Sequence, residues 1–302
     1  MNDIRLSIVV PVFNGIAYTK KCLKSLYQLK DASGKISKQV DIIIVDDGSK
    51  DGTSDYIKMH YPEVHLVYGN GGLWWGGGVN KGMKYAVETL NSDYILWWNN
   101  DILPQDDYLE QLFSIIETHP RDVVIGSKIF VLNNDLLWGM GGKFDPVSGS
   151  RFMYGEKQPD GASYQRSFEV DWFPGMGTSM HRNVIEKIGY VDETRFPQYH
   201  GDSDFTFRAK KEGFRLIAFP QLVIYNDNTN TGLIHKGSAR KLYQSLTSIK
   251  SNFNIRKDFA FYRKHARSHR AYYPLWSKYF RYIGGFTKWS VLGLAGIKRK
   301  QI

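Results

Sequence analysis

"DYILWWNND", residues 93–101, decides how the chain is read. Five large apolar residues, Tyr94 to Trp98, run without a polar break and stop at Asn99, Asn100 and Asp101. An unbroken apolar run of this length fits a strand buried on both faces. The polar triplet fits either an Asx-type turn or a set of ligands at the strand's carboxyl end.

The same pattern occurs twice upstream. Leu6 to Phe13 (LSIVVPVF) ends at Asn14, and Val40 to Val45 ends at Asp46-Asp47-Gly48-Ser49. Apolar spacing predicts helices over 17–29 and up to about His60, with a third strand over 64–68. A glycine-rich loop, residues 69–78, then opens a helix over 80–90. Buried strands alternating with helices predict an α/β fold, a mostly parallel sheet with helices on both faces. Ligands of such sheets collect at the carboxyl ends of the strands. Three such ends carry polar residues here: Asn14, Asp46 with Asp47, and Asn99 to Asp101.

Past Val131 the pattern loosens. Residues 139–166 are rich in Gly, Asp and Ser and predict long loops or short antiparallel strands. Order returns at Val170-Asp171-Trp172-Phe173, with short helices over 183–188 and 203–212, the second closed by Gly213.

The chain has 302 residues, 42% hydrophobic and 15% aromatic, which excludes an intrinsically disordered protein. Its one cysteine, Cys22, falls on the apolar side of the first helix, so no intrachain disulfide or cysteine metal site is possible. No export signal opens the chain and no apolar run has the length of a membrane span, so a cytoplasmic or membrane-surface location is expected. The net charge of +10 is uneven: from Gln221 onward 16 Lys and Arg stand against Asp227 and Asp258, and the remainder is slightly acidic. From Lys241 the basic residues alternate with aromatic ones, and residues 241–270 are expected to be helical. Such a tail suits an anionic membrane surface, or nucleic acid; a solvated basic face is the plain alternative.

The glycine-rich stretch "GNGGLWWGGGVNKG" (69–82) could bring backbone close to a diphosphate. It lacks P-loop spacing and does not follow the first strand, so it is no nucleotide fingerprint by itself. Its Trp74 and Trp75 read as packing residues.

Together, "SIVVPVFNG", "IIIVDDGSKDGT", "GNGGLWWGGGVNKG", "WWNNDI" and "YHGDSDFTFRAKKEGFRL" resemble, in order and spacing, the family 2 glycosyltransferases. The similarity covers about residues 5–225 and is greatest to the rhamnosyltransferase-like members of bacterial surface polysaccharide synthesis. It implies a GT-A catalytic domain over 1–225, with a nucleotide-sugar half to about 101 and an acceptor half over 102–225. A basic helical extension over 226–302 completes the chain. The implied reaction is inverting transfer of a sugar, rhamnose among the candidates, from a dTDP- or UDP-linked donor to a saccharide or polyprenyl-linked acceptor. The implied place is the inner face of the cytoplasmic membrane.

The resemblance also assigns residues. Asp101 and His235 would hold a divalent cation, Mg²⁺ or Mn²⁺, where the family has a D-x-D element; this chain keeps only the last carboxylate of that triplet. Asn99 and Asn100 could still offer oxygens or hydrogen-bond sugar and phosphate. Asp47, with Asp46 beside it, would meet the base or ribose, although either aspartate could equally cap the next helix. Pro11, Phe13 and Asn14 would pack on the nucleotide, and Asn80 and Lys81 would lie near the diphosphate. Asp202 would be the general base, taking the proton of the attacking hydroxyl; an N-cap is its alternative role. His200 and Trp172 would face the acceptor. Asp204 stands four residues before Arg208, the spacing of a helix-face ion pair.

A nucleic-acid-binding protein is the competing reading of the basic tail, but the acidic strand ends would repel phosphate. A sugar nucleotidyltransferase would need a basic glycine-rich loop after the first strand, where this chain has Pro11-Val12-Phe13-Asn14-Gly15. Oligomeric state is open.

Overall fold

A computed structural model describes residues 4–227 and 238–294, with side chains except those of 35–37 and 289–294. The chain divides into two compact units. The first comprises Met1–Lys143, Phe152–Pro197 and Gly201–Thr229; the second comprises Phe144–Arg151, Gln198–His200 and Asn230–Ile302.

The first unit is built on a ten-stranded sheet. Its amino-terminal half holds β1 (Leu6–Val12), β2 (Val40–Asp46), β3 (His65–Tyr68) and β4 (Tyr94–Trp97), with α1 (Ile16–Ala32), α2 (Thr53–His60) and α3 (Trp74–Lys84) between them. Next come β5 (Ile102–Pro104), α4 (Tyr108–Thr118), β6 (Val123–Val131), β7 (Leu137–Gly139), β8 (Gly142–Phe144), β9 (Arg151–Met153), β10 (Phe168–Glu169), β11 (Thr178–His181), α5 (Arg182–Ile188), α6 (Gly201–Lys211) and β12 (Arg215–Asn226). The main strand order is β10-β12-β6-β11-β4-β1-β2-β3.

The half β4-β1-β2-β3 is wholly parallel, so its carboxyl ends share one edge. Register sets Val12 beside Asp46 and Asp46 beside Tyr68, while the amide of Trp98 donates to Val9 O. Past β4 the sheet is mixed: β11 runs antiparallel to both β4 and β6, and β6 pairs parallel with β12. The reversal at β11 was not readable from the sequence, because a four-residue buried strand shows no period that distinguishes direction.

The unbroken apolar strands are explained by burial on both faces. Side chains on one face, among them Ile8, Val10, Ile42, Ile44, Leu96 and Trp98, pack with α1 and α4 residues such as Leu23, Leu26, Leu112 and Ile116. The alternate residues Val9, Ile43, Val45, Ile95 and Trp97 pack on the other face with Val79, Met83, Phe205 and Ala209. Cys22 lies in the first of these layers, and burial pushes its thiol up to about 12. It is an inert core thiol.

α3 starts earlier than the glycine count predicts. It opens at Trp74, and Gly76, Gly77 and Gly78 lie inside its first turns. The reason is contact distance: a Cβ on Gly82 would sit 2.3 Å from Val9 Cγ1, and one on Gly78 2.8 Å from Pro11 Cβ. The glycines let the helix backbone lie directly on β1. Gly213 closes α6 with φ of +95°, the stop its sequence predicts.

The second unit contains α7 (Ala239–Thr247), α8 (Ile255–His265) and α9 (Tyr272–Leu294). Phe144, Phe261, Tyr262, Ala271, Leu275 and Tyr279 are buried. The Tyr262 hydroxyl donates to Gly149 O at 2.9 Å. No described helix is long and apolar enough to cross a membrane.

Candidate active site

The carboxyl edge of β4-β1-β2-β3 gathers the polar residues in one place. At β1, Asn14 adopts a left-handed backbone with φ of 44°, which Asn tolerates. Its amide donates to Ser49 Oγ and its Oδ1 accepts from the Lys50 amide, both at 2.9 Å, so it ties the end of β1 to the loop after β2. Phe13 beside it is 52% exposed, a large apolar ring at the rim of this edge. Pro11 lies within β1 and packs on Gly78 of α3.

The two aspartates at the end of β2, Asp46 and Asp47, are buried and point to different tasks. Asp46 accepts from the Ser49 amide at 2.8 Å and from the Ser54 hydroxyl, which shapes the turn into α2. Asp47 accepts from the amides of Gly71 and Leu73 at 2.8 Å each and of Trp74 at 3.2 Å. Its carboxylate thus holds the glycine-rich loop and the start of α3, so the charge that was expected to meet a nucleotide also builds the loop beside it. In the first turn of α3 the amide of Gly76 donates to Pro197 O at 2.7 Å and that of Gly77 to Leu73 O at 3.0 Å. The diphosphate cradle that glycine content suggested is therefore braced by protein acceptors.

Asn80 is buried and fully engaged. Its Nδ2 donates to Val191 O at 2.8 Å and to Glu193 Oε2 at 2.6 Å, and its Oδ1 accepts from the Val191 amide at 2.8 Å. These bonds clamp α3 to the segment before α6. Lys81 donates to Tyr68 O at the end of β3.

After β4 the triplet separates into three roles. Asn99 Oδ1 accepts from the indole of Trp75 at 3.1 Å. Asn100 Nδ2 donates to Thr19 Oγ1 of α1 at 3.2 Å. Asp101 is different: its Oδ1 is buried with no hydrogen-bond partner among the described residues. Burial pushes this carboxyl up to about 6; a backbone hydrogen bond opposes the rise and the charge of Asp227 adds to it. Asp227 approaches through its backbone, donating to Asp101 O at 2.9 Å.

Asp202 sits in the first turn of α6. Its Oδ1 accepts from the Ser203 amide at 2.7 Å and its Oδ2 from the Gly175 amide at 2.9 Å. A second tie, from the Phe173 amide to Thr206 Oγ1 at 3.0 Å, holds the same loop to α6. Trp75 connects this corner to the strand end. A Cβ added at Gly175 would lie 2.1 Å from Trp75 Cζ2, and one at Gly201 3.3 Å from Cζ3. The indole therefore touches both glycines that flank Asp202 while it bonds to Asn99. Sequence reasoning set Trp75 aside as packing; the signal available was its place between two glycine runs and before two more glycines across the fold. Asp204, fully buried, pairs with Arg208 at 3.0 Å as its spacing predicts.

The two residues expected on the acceptor side, Trp172 and His200, are both engaged within the protein. Trp172 is turned into the interior, its ring filling the space where a Cβ on Gly142 would fall 2.3 Å away. His200 belongs to the second unit, where Arg151 donates to its Nδ1 at 2.8 Å. Nε2 therefore carries the proton toward Asp258 Oδ1 at 2.6 Å. Burial, then the Arg151 charge, lowers the His200 pKa. Asp258 also accepts from Tyr279 at 2.8 Å and pairs with Lys278. Both ring nitrogens of His200 thus serve a buried polar cluster. His235 falls within 228–237, outside the described residues.

Residues 7–188 match the model of "Glycosyl transferase family 2". The chain is 25% identical over 223 residues to the undecaprenyl-phosphate mannosyltransferase of Micrococcus luteus, covering 72% of this chain and 82% of that one. It is 23% identical over 195 residues to a low-salt glycan biosynthesis hexosyltransferase, Agl10, of Haloferax volcanii, covering 64% and 61%. Among solved structures, GalNAc-T7 with UDP, GalNAc and Mn²⁺ superposes with a TM-score of 0.59 at 13% identity, over 83% of this chain and 50% of that one. The mannosyltransferase PcManGT of Pyrobaculum calidifontis, in complex with GDP-Man and Mn²⁺, gives 0.54 at 15%, over 89% and 67%. This chain belongs to glycosyl transferase family 2, and its first unit has the GT-A architecture of those neighbours. It spans about three fifths of the length of the first curated relatives it matches.

Proposed function

We propose that the protein is an inverting glycosyltransferase that moves a sugar from a nucleoside diphosphate to an acceptor hydroxyl. The observation that carries this reading is the Trp75 bridge. One indole joins the strand-end triplet, where a donor diphosphate would lie, to the loop that holds the Asp202 carboxylate. An in-line displacement needs the leaving group and the base on opposite sides of the anomeric carbon, fixed relative to each other. Asp202 is half-buried and held through two amides, which orient a carboxylate without consuming all its lone pairs. Phe13, exposed beside Asn14, offers a ring for the base to stack on.

The residues present fit a divalent cation. Among the described residues no three His, Cys, Asp or Glu side chains gather into a metal cluster. Mg²⁺ and Mn²⁺ at diphosphates need few protein ligands, because water and phosphate oxygens fill most positions. The buried Oδ1 of Asp101, without a partner among the described residues, is suited to be that ligand. A cation held there would neutralise charge developing on the departing diphosphate. The relatives and neighbours support a hexose donor; rhamnose on dTDP or UDP is the donor we propose from the motif resemblance. A saccharide or polyprenyl-linked acceptor in surface polysaccharide synthesis would bring the enzyme to the inner face of the cytoplasmic membrane.

The test is a donor screen. Nucleotide sugars bearing dTDP, UDP and GDP are titrated with and without Mn²⁺ while slow hydrolysis is followed. One donor should bind with metal dependence and be hydrolysed. If no nucleotide sugar binds or reacts, the reading fails.

A further inference from the structure

We propose that the solvent face of α9, with Phe259 of α8, is a docking surface for an anionic lipid bilayer. α9 buries Leu275 and Tyr279 and turns another set of apolar residues outward. Tyr273 is 72% exposed, Trp276 43%, Phe280 74% and Ile283 39%. At 3.6 residues per turn these four fall within an arc of about 80°. Phe259, also exposed, extends the patch, its ring 6.3 Å from that of Trp276 and 5.6 Å from that of Tyr272. Four exposed aromatics and an isoleucine on one side are far more than isolated surface residues.

Charge identifies the occupant. Between Ser238 and Leu294 there are 12 Lys and Arg and one acidic residue, Asp258. Asp258 is buried and paired with His200 and Lys278, so the described surface of this segment presents no carboxylate. Arg281 and Lys288 are exposed on the arc next to the apolar stripe, and Arg256 and Arg263 are exposed on α8. A protein partner covering this face would have to supply the entire negative balance. A bilayer with anionic headgroups supplies it continuously, and its acyl boundary accepts the aromatic rings. α9 does not have the apolar length to span, so it lies in the interface plane. This deepens the membrane side of the function proposed above. Its test needs no donor, so either idea can fail alone.

The test is co-sedimentation of the full chain with phosphatidylcholine vesicles, with and without a third of phosphatidylglycerol. Binding is expected only with phosphatidylglycerol, and is lost as salt is raised. The pair Trp276→Ser and Phe280→Ser should weaken partition by about tenfold or more. The pair Arg281→Glu and Lys288→Glu should weaken it comparably. All four side chains are exposed, so thermal melting should match wild type. A readout that needs no polar variant is quenching of tryptophan emission by brominated lipid, which Trp276→Phe should largely remove. Undiminished binding by the serine pair would overturn the proposal, as would equal binding to neutral vesicles. So would concentration-dependent dimerisation, abolished by Phe280→Ser, in a protein that ignores vesicles; that result would assign the face to a second copy.

Discussion

The indole nitrogen of Trp75 donates to Asn99 Oδ1 at 3.1 Å, and the same ring fills the space against Gly175, whose amide holds Asp202. A strand-end carboxamide and a helix-start carboxylate are thereby linked through one rigid side chain. Trp75→Phe removes the hydrogen bond together with the outer ring atoms that meet Gly175 and Gly201. Leaving a half-buried acceptor unsatisfied costs about 1–3 kcal/mol. We expect donor turnover per bound donor to fall about tenfold, with the larger change in kcat if Trp75 positions the site. Steady-state donor hydrolysis measures it, and an unchanged kcat would leave Trp75 a packing residue only.

Gly175→Ala attacks the same contact from the other side. Its Cβ would land 2.1 Å from Trp75 Cζ2, so the ring or the loop must shift. Overpacking of this kind costs about 1–3 kcal/mol. A lower melting temperature together with reduced hydrolysis is expected, and pairing with Trp75→Phe should show the two changes to be non-additive.

Asp47→Asn tests the carboxylate that holds the glycine-rich loop. Asn keeps one acceptor but turns an NH₂ toward backbone N–H groups that now meet Asp47. We expect a loss of about 2 kcal/mol or more in stability, with faster amide exchange at Gly71 and Leu73. Unchanged exchange there would mean that the loop holds itself.

Asp101 carries a pH prediction. Its carboxyl is raised to about 6 by burial, so the ionised form is disfavoured in the folded chain. The sign is that of a raised pKa: this group's contribution favours the fold below its unfolded pKa and is lost as pH rises through the folded value. Cation binding has the opposite slope, because the cation competes with the proton. Mn²⁺-dependent donor affinity should therefore weaken as pH falls from 7 toward 5, and Asp101→Asn should abolish the Mn²⁺ dependence. The variant should also lose the stability slope between about pH 4 and 6. Calorimetry across pH checks the first and thermal melting the second.

How far the sequence could be read depended on the kind of signal. β1, β2 and β4 are legible as mostly apolar runs without strict alternation because they are buried on both faces. The glycines of 76–78 misled, because glycine scores as loop whether it bends the chain or lets a helix touch a strand. Asp47 and Asn80 read as ligand residues, yet they bond to backbone groups and, for Asn80, to the Glu193 carboxylate, partners far away in sequence that no local pattern reveals. His200 is two residues from Asp202 in sequence but is engaged by Arg151 and Asp258, partners 49 and 58 positions away. The membership of 144–151 and 198–200 in the second unit is likewise a long-range property without local sign.

The central claim is that Asp202 takes the proton of the attacking hydroxyl. Asp202→Asn keeps the shape and one of the two accepting oxygens, and turns an NH₂ toward either the Ser203 or the Gly175 amide. The direct measurement is donor hydrolysis, water standing in for the acceptor, alongside donor affinity for the same protein. The expected result is a fall in turnover of at least about a hundredfold with donor affinity close to wild type, beside a loss of about 1–3 kcal/mol in stability from the amide left unsatisfied. A variant that kept more than about a tenth of its turnover while binding donor normally would contradict it.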